Sequence, residues 1–274
     1  MRFILMRRRS TFIAMTVAGA VTAIPSAQAA VYFADNFATF ADGNLVGQGG
    51  YTQVGSIATL PLQVSGGRVV IPGGQTVNNQ DAVRLVDPVA PVAGNSVFVG
   101  ALLTISSAPA SADGSSYFLA IRSNTFDNGR IVARQSATDP SKFSLGIRAT
   151  GQSGNTFVFG SELDFGTDYI VIMAIDFVAG ASNDVFSLYV DPVSTIRSNN
   201  TPYASVVNAV TDMDDYRGVT ISQFGSSTLT TAGASIGALA LTNDFGEAVQ
   251  AVPEPATLGV LGLGLLALMR RRSR

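Results

Sequence analysis

Glu162-Leu163-Asp164 is the sharpest chemical pattern in the chain, because strand alternation places both carboxylates on one face. Paired acids of this kind cleave glycosidic bonds, one giving a proton and the other acting as base or nucleophile. No further acid follows until Asp168, so Ser161 to Asp168 also reads as a polar connection into the strand at Tyr169. The lone lysine, Lys142, follows Ser141, but Asp139 occupies the place a serine would need in a Ser-x-x-Lys hydrolase, and a loop after Pro140 accounts for it. The chain has no His, no Cys and no Trp. A Ser-His-Asp triad, a Cys-His pair, a structural zinc site and a disulfide framework are therefore excluded.

Acidic loops supply the other chemistry. Asp212, Asp214 and Asp215 are the candidate calcium ligands, since clustered carboxylates suit a hard cation, and no other cofactor is implied. They lack the register of an EF-hand loop, and Asp127-Asn128-Gly129 reads as a hairpin turn. Tyr203 and Tyr216 stand in polar surroundings and are the candidate ligand contacts, whereas the other tyrosines fall at strand positions.

The ends of the chain differ from its middle. A basic stretch, Met1 to Ser10, an apolar stretch, Thr11 to Ile24, and small residues at Ala27 and Ala29 form a three-part secretory signal cleaved after Ala29. A first membrane-spanning helix fits less well, because 14 apolar residues reach only about 21 Å against a hydrocarbon core of about 30 Å. At the other end, Pro253-Glu254-Pro255 precedes the apolar stretch 256–269 and a basic end, Arg270, Arg271, Arg272 and Arg274. The basic cluster stops translocation and stays cytoplasmic. The expected organisation is a signal peptide over 1–29, one domain over 30–250 and a sorting segment over 251–274. Residues 30–250 hold nine basic and eighteen acidic residues, a net charge of −9, which argues against nucleic-acid binding.

The tail resembles the PEP-CTERM sorting signal of Gram-negative bacteria, in Pro253-Glu254-Pro255, the glycine-rich apolar segment and the arginine-rich end. The resemblance implies an exosortase-type membrane protease and the secretion machinery as partners, and transient residence in the inner membrane through the C-terminal helix. It further implies cleavage at or near Pro-Glu-Pro and delivery to the cell surface or matrix of organisms that make exopolysaccharide. A plain C-terminal membrane anchor is the alternative.

Between the ends, short β-branched and aromatic runs bounded by turn residues predict an all-β fold, a single antiparallel β-sandwich. Strands are expected at Ser96–Ile105, Tyr117–Ser123, Phe143–Ala149, Tyr169–Phe177, Val185–Val190, Gly218–Phe224 and Ser235–Thr242. Alternation groups Tyr117, Leu119 and Ile121 on one face, and Phe118, Ala120 and Arg122 on the other. Asp35-Asn36-Phe37, the stretch Gly43 to Tyr51, Asn183 to Pro192 and Ile236 to Leu239 are similar to exported concanavalin A-like (LamG-like) jelly-roll domains. Glycosidases of that group carry a further Glu soon after the paired acids, which Phe165-Gly166-Thr167 does not supply. Tyr51 stands where the opening motif commonly has Trp. The expected function is an exported, non-enzymatic binding or structural module of the exopolysaccharide layer. The alternatives are a carboxylate-dependent polysaccharide hydrolase or lyase, and a passive matrix filler.

Overall fold

The computed structural model describes residues 29–252 apart from 56–59, 75–78, 112–115, 125, 151–156, 209, 211 and 224–231. Ala27, Pro253, Glu254, Pro255 and Arg270 to Arg274 lie outside the described residues, as does the apolar stretch 256–269. Among the described residues no helix is long and apolar enough to cross a membrane.

Two antiparallel sheets face each other across one core. The first runs in the order Ala204–Val207, Val185–Val190, Asp168–Asp176, Ser96–Ser107, Gly233–Thr242, Arg68–Ile71, Gln63–Ser65, Gly43–Asn44, with Val31–Asn36 also paired to Gly233–Thr242. The second runs Val158–Phe159, Lys142–Thr150, Asp127–Gln135, Leu119–Arg122, Tyr216–Ile221, Asp81–Val89, Tyr51–Val54, with Leu163–Asp164 also paired to Lys142–Thr150. The inner faces meet in a cluster that includes Phe37, Leu45, Tyr51, Phe118, Phe143 and Phe186, each at most 1% exposed. Burying an aromatic or aliphatic side chain of this size contributes about 1.5–3 kcal/mol, so these few residues alone hold much of the sandwich together.

The apolar run at Tyr169 forms the strand Asp168–Asp176, paired on one side with Ser96–Ser107 and on the other with Val185–Val190. Its inner face, Tyr169, Val171, Met173 and Ile175, joins the main core. Its outer face, Ile170, Ile172 and Ala174, is buried with Phe98, Tyr189, Phe245, Ala248 and Val252. This cover is the helix Phe245–Gln250, whose N-terminus is capped by Asp244 accepting from the Glu247 N–H at 2.9 Å. Six residues are too few to display a helical period, so hydrophobic patterning missed this element. Gly100 makes its approach feasible, because a β-carbon there would stand 2.5 Å from the Ala248 carbonyl oxygen.

Two local expectations are corrected. Leu119 and Ile121 do point into the core and Ala120 points out, but Tyr117 lies outward with Ala120 while Phe118 lies inward. The strand begins only at Leu119, and alternation does not extend back through the segment before it. Asp127-Asn128-Gly129 is not a turn: it opens the strand Asp127–Gln135, and the chain reverses earlier, where Ser123 N–H donates to Phe126 O at 2.9 Å. Gly129, at φ +57°, supplies a left-handed kink inside that strand.

Candidate functional site

The pair Glu162 and Asp164 lies on the rim of the second sheet. Asp164 is in register with Lys142, whose Nζ donates to Asp164 Oδ1 at 2.6 Å. Lys142 thus opens the strand Lys142–Thr150 instead of sitting in a loop, and its hydrogen bond to Asp164 holds the ammonium above its ordinary pKa. Glu162 Oε1 accepts from the hydroxyl of Ser136, and from that of Thr138 at 3.3 Å. Both carboxylates are exposed, and each is engaged by a neighbouring surface side chain.

The acidic run 212–215 is divided in the same way. Asp212 accepts from the backbone N–H groups of Ser182 at 2.7 Å and Asn183 at 3.2 Å, and from Asn208 Nδ2 at 3.0 Å, which ties down the turn before Val185–Val190. Asp215 accepts from Asn124 N–H at 2.7 Å and from the Arg217 guanidinium. Asp214 accepts from the N–H of Asp215 at 3.0 Å. Among the described residues no group of three or more His, Cys, Asp or Glu side chains is arranged to hold a metal ion.

Tyr203 lies across Gly160, where a β-carbon would enter its ring. Its hydroxyl donates to Ser161 O and accepts from Leu145 N–H at 3.2 Å, and burial pushes its pKa up to about 12. Tyr216 is 4% exposed, stacked on Phe177 with centroids 5.8 Å apart, and its hydroxyl is 2.9 Å from that of Tyr32. Tyr216, Tyr32 and Phe177 form part of the wall of a cleft of about 640 Å³, which Phe98, Phe245 and Arg197 also line. Arg197 donates as a fork to Asp176, at 2.5 and 2.7 Å, and its Nε–H donates to Tyr189 Oη at 2.9 Å. Burial opposes ionisation of Asp176, but the Arg197 fork and the Ser96 hydroxyl together hold its carboxyl below the ordinary value.

The outer face of the second sheet gathers further charged groups, with Arg134 exposed and Arg130 and Arg148 partly buried. The alternation that sends Ile131, Ala133, Leu145 and Ile147 into the core turns Arg130, Val132, Arg134, Ser144, Gly146 and Arg148 outward. Arg130 is in register with Arg148, Val132 with Gly146, and Arg134 with Ser144. Tyr117, Ala120 and Val132 form a small buried cluster there, with Phe157 and Phe159 packed against it. Each arginine lies over one ring: Arg130 over Tyr117 at 4.4 Å from the centroid, Arg134 over Phe159 at 3.8 Å, and Arg148 over Phe157 at 5.8 Å. Gly146 lets Phe159 lie across the sheet, since a β-carbon there would stand 2.6 Å from the ring.

Two carboxylates border this platform. Asp127, 6% exposed, accepts from Tyr117 Oη at 2.8 Å, Thr220 Oγ1 at 2.8 Å and Arg122 at 3.2 Å. Burial and then the Asp127 charge raise the Tyr117 phenol above its ordinary pKa, which keeps it a donor. Asp81 accepts from Gln223 N–H at 2.9 Å, and burial pushes its pKa up to about 6. The platform escaped sequence reasoning because Asp127 was assigned to a turn and the pairing that sets Arg130 against Arg148 is nonlocal. The outward position of Arg148 was visible from alternation in the strand at Phe143.

Residues 251–273 match the PEP-CTERM protein-sorting motif. No curated protein matches the chain by sequence. Among solved structures, the chain is similar to the CBM2 module of the evolved Dit of Lactobacillus casei BL23 phage J-1. The identity is 8%, covering 79% of this chain and 96% of that one, with a TM-score of 0.45. It is similar to an endo-1,3-beta-glucanase from Streptomyces sioyaensis at 11% identity over 80% of this chain and 97% of that one, with a TM-score of 0.38. It is also similar to part of a bifunctional GH43-CE protein of Bacteroides eggerthii, at 10% identity and a TM-score of 0.47 over 77% of this chain and 26% of that one. The chain therefore joins an antiparallel β-sandwich to a PEP-CTERM protein-sorting motif, which marks it for export and membrane-anchored sorting to the cell surface and implies an exosortase-type processing partner.

Proposed function

We propose that the protein is a non-enzymatic, carbohydrate-associated module of the exopolysaccharide layer, released to that layer after cleavage at or near Pro253-Glu254-Pro255. The observation that carries this reading is the outer face of the second sheet, where a guanidinium lies over each of three aromatic rings. Arg134, exposed over Phe159, offers donors to sugar oxygens, and the partly buried rings of Phe157 and Phe159 add apolar area at its side. The engagement of Glu162 and Asp164 by Ser136, Thr138 and Lys142 supports a structural role for that pair.

The test is to mix the full chain, in mild detergent, with the exopolysaccharide of its own host and follow both by size-exclusion chromatography with light scattering. Co-elution with polymer of unchanged mass is expected. Polymer that shortens with time would replace this reading with a hydrolase or lyase, and no change in either partner would leave a passive matrix role.

One observation favours the hydrolase as a second reading. Thr220, which donates to Asp127, and Ser222, whose side chain hydrogen-bonds Asp81, are two residues apart, about 7 Å along the strand direction. That is the order of separation used by glycoside-cleaving carboxylate pairs, and Asp81, which burial raises to about 6, would be the proton donor of the two. If polymer shortens, Asp81→Asn should abolish the shortening, and a variant that keeps it would remove this pair from consideration.

A further inference from the structure

The cleft walled by Tyr32 and Tyr216 does not end at Tyr32. A second groove, of about 650 Å³, adjoins it and shares Tyr32 and Val89 as walls, with Arg84, Leu85 and Asp87 beyond them. The hollow arises where two strands, one from each sheet, lose a neighbour. Among the described residues Val31–Asn36 pairs only with Gly233–Thr242, and the pairing of Asp81–Val89 with Tyr51–Val54 stops at Arg84. Apolar side chains stay in water along both hollows: Val31 and Leu85 are exposed in the second, Val92 and Ile196 in the first. Polar groups with capacity to spare flank them. Arg84, partly exposed, has an open ion pair with Asp35 Oδ2 at 3.6 Å, and its Nε has no hydrogen-bond acceptor. Asp87 is exposed in the same hollow, and Asn95 and Thr195 are exposed in the other. The Tyr32 and Tyr216 hydroxyls share one of their two hydrogens and leave the other to give.

We infer that the two hollows form one groove for an extended neutral glycan, with Tyr32 and Val89 under its middle, Arg84 and Asp87 on the hydroxyls at one end, and Asn95 and Thr195 on those at the other. The inference rests on the proposed carbohydrate reading and adds a second site, built from residues other than Arg134 and its rings, and the charge class of the polymer. A sugar chain presents C–H faces together with hydroxyls that both donate and accept, which an apolar floor bordered by a guanidinium, a carboxylate, an amide and a hydroxyl can meet. Each hollow alone lies within the roughly 300–1,000 Å³ that ligand sites occupy, so the pair suits several units of one chain. An acidic polymer fits less well. Arg84 and Arg197 each stand beside a carboxylate, Asp35 and Asp176, and the walls add the carboxylates of Asp87 and Asp244. An added peptide strand also fits less well, because Asp87 and Pro88 occupy the free stretch of Asp81–Val89 and a bulge between Tyr216 and Gly218 distorts it, features that blunt an edge.

The test divides host exopolysaccharide into neutral and acidic fractions by anion exchange and measures how each retards the full chain, in mild detergent, in affinity electrophoresis. Hydroxyethyl cellulose, laminarin and galactomannan are run beside them as defined neutral polymers. Retardation by the neutral fraction or by one of these polymers is expected, changing less than about twofold between about 50 mM and about 500 mM NaCl, since no charge is neutralised. Asp87→Ala with Asn95→Ala, at two exposed positions in different hollows, should weaken it about tenfold at an unchanged Tm. Tyr32→Ala should weaken it about tenfold or more, and the exposed pair keeps the test decisive if that variant folds poorly. Retardation that neither variant alters would overturn the inference and leave the broader carbohydrate reading in place, with Arg134→Gln as its own probe. Retardation by the acidic fraction and by no neutral polymer would overturn it in the same way. Retardation by none of the polymers would overturn both readings.

Discussion

Gly100 lies so close beneath the carbonyl of Ala248 that a β-carbon on it would stand 2.5 Å from that oxygen and 3.1 Å from Val252 Cγ2. A strand of the first sheet and the helix Phe245–Gln250 meet there with no side chain between Gly100 and the Ala248 carbonyl.

Gly100→Val should therefore lift the helix Phe245–Gln250 off the sheet and expose Ile170, Ile172 and Ala174. The expected loss is about 1–3 kcal/mol, as for other overpacked sites, seen as a lowered Tm with faster amide exchange at Ile172. An unchanged Tm would mean the helix is not seated as described.

Asp81 makes stability depend on pH in a stated direction. Its folded pKa of about 6 lies above the ordinary 3.8, so the folded state holds the proton more tightly than the unfolded one. Stability from this group is full below about pH 4 and is lost as pH rises through 6, by about 2–3 kcal/mol. Asp81→Asn should flatten the difference in Tm between pH 4 and pH 7 relative to the parent, and denaturation at several pH values reads this directly.

Removing Arg197 leaves Asp176 half-buried without its fork. Arg197→Ala should cost about 2–4 kcal/mol, whereas replacing both residues should cost less than the two single changes together. A double-mutant cycle that shows no coupling would contradict the geometry.

Asp212 acts as an acceptor for the turn at Ser182, a residue held at φ +59°. Asp212→Ala should lower stability by about 1–2 kcal/mol by leaving the Ser182 and Asn183 N–H groups without that acceptor. Millimolar calcium or chelator should leave the Tm of the parent unchanged, and a calcium-dependent rise would restore a metal role to this loop.

Glu162→Gln should change stability by no more than about 0.5 kcal/mol, because its partners are exposed hydroxyls. Host polymer incubated with this variant should behave as it does with the parent.

The hairpin of Asp168–Asp176 with Val185–Val190 was legible because a β-branched run, turn residues Gly180, Asn183 and Asp184, and a closing Asp191-Pro192 all agree locally. Asp81–Val89 was not, since Pro88 and two aspartates break the alternating pattern of a strand whose partners, Tyr51–Val54 and Tyr216–Ile221, are remote in sequence. The candidate platform failed to appear for a related reason. Alternation assigns Arg130 and Arg148 each to a face, but only the pairing of two separate strands sets them opposite one another.

The burial of Val252, at 2% exposure, has a mechanical consequence. A load applied through Pro253 reaches the folded body with no slack, entering at Val252 and passing into a six-residue helix held on the sheet by side-chain packing. Such a helix peels one contact at a time, whereas the ladder beneath it must break many hydrogen bonds together. Under tension at its C-terminus the protein should lengthen first by the few residues of that helix, a short extensible link that gives way before the sandwich does.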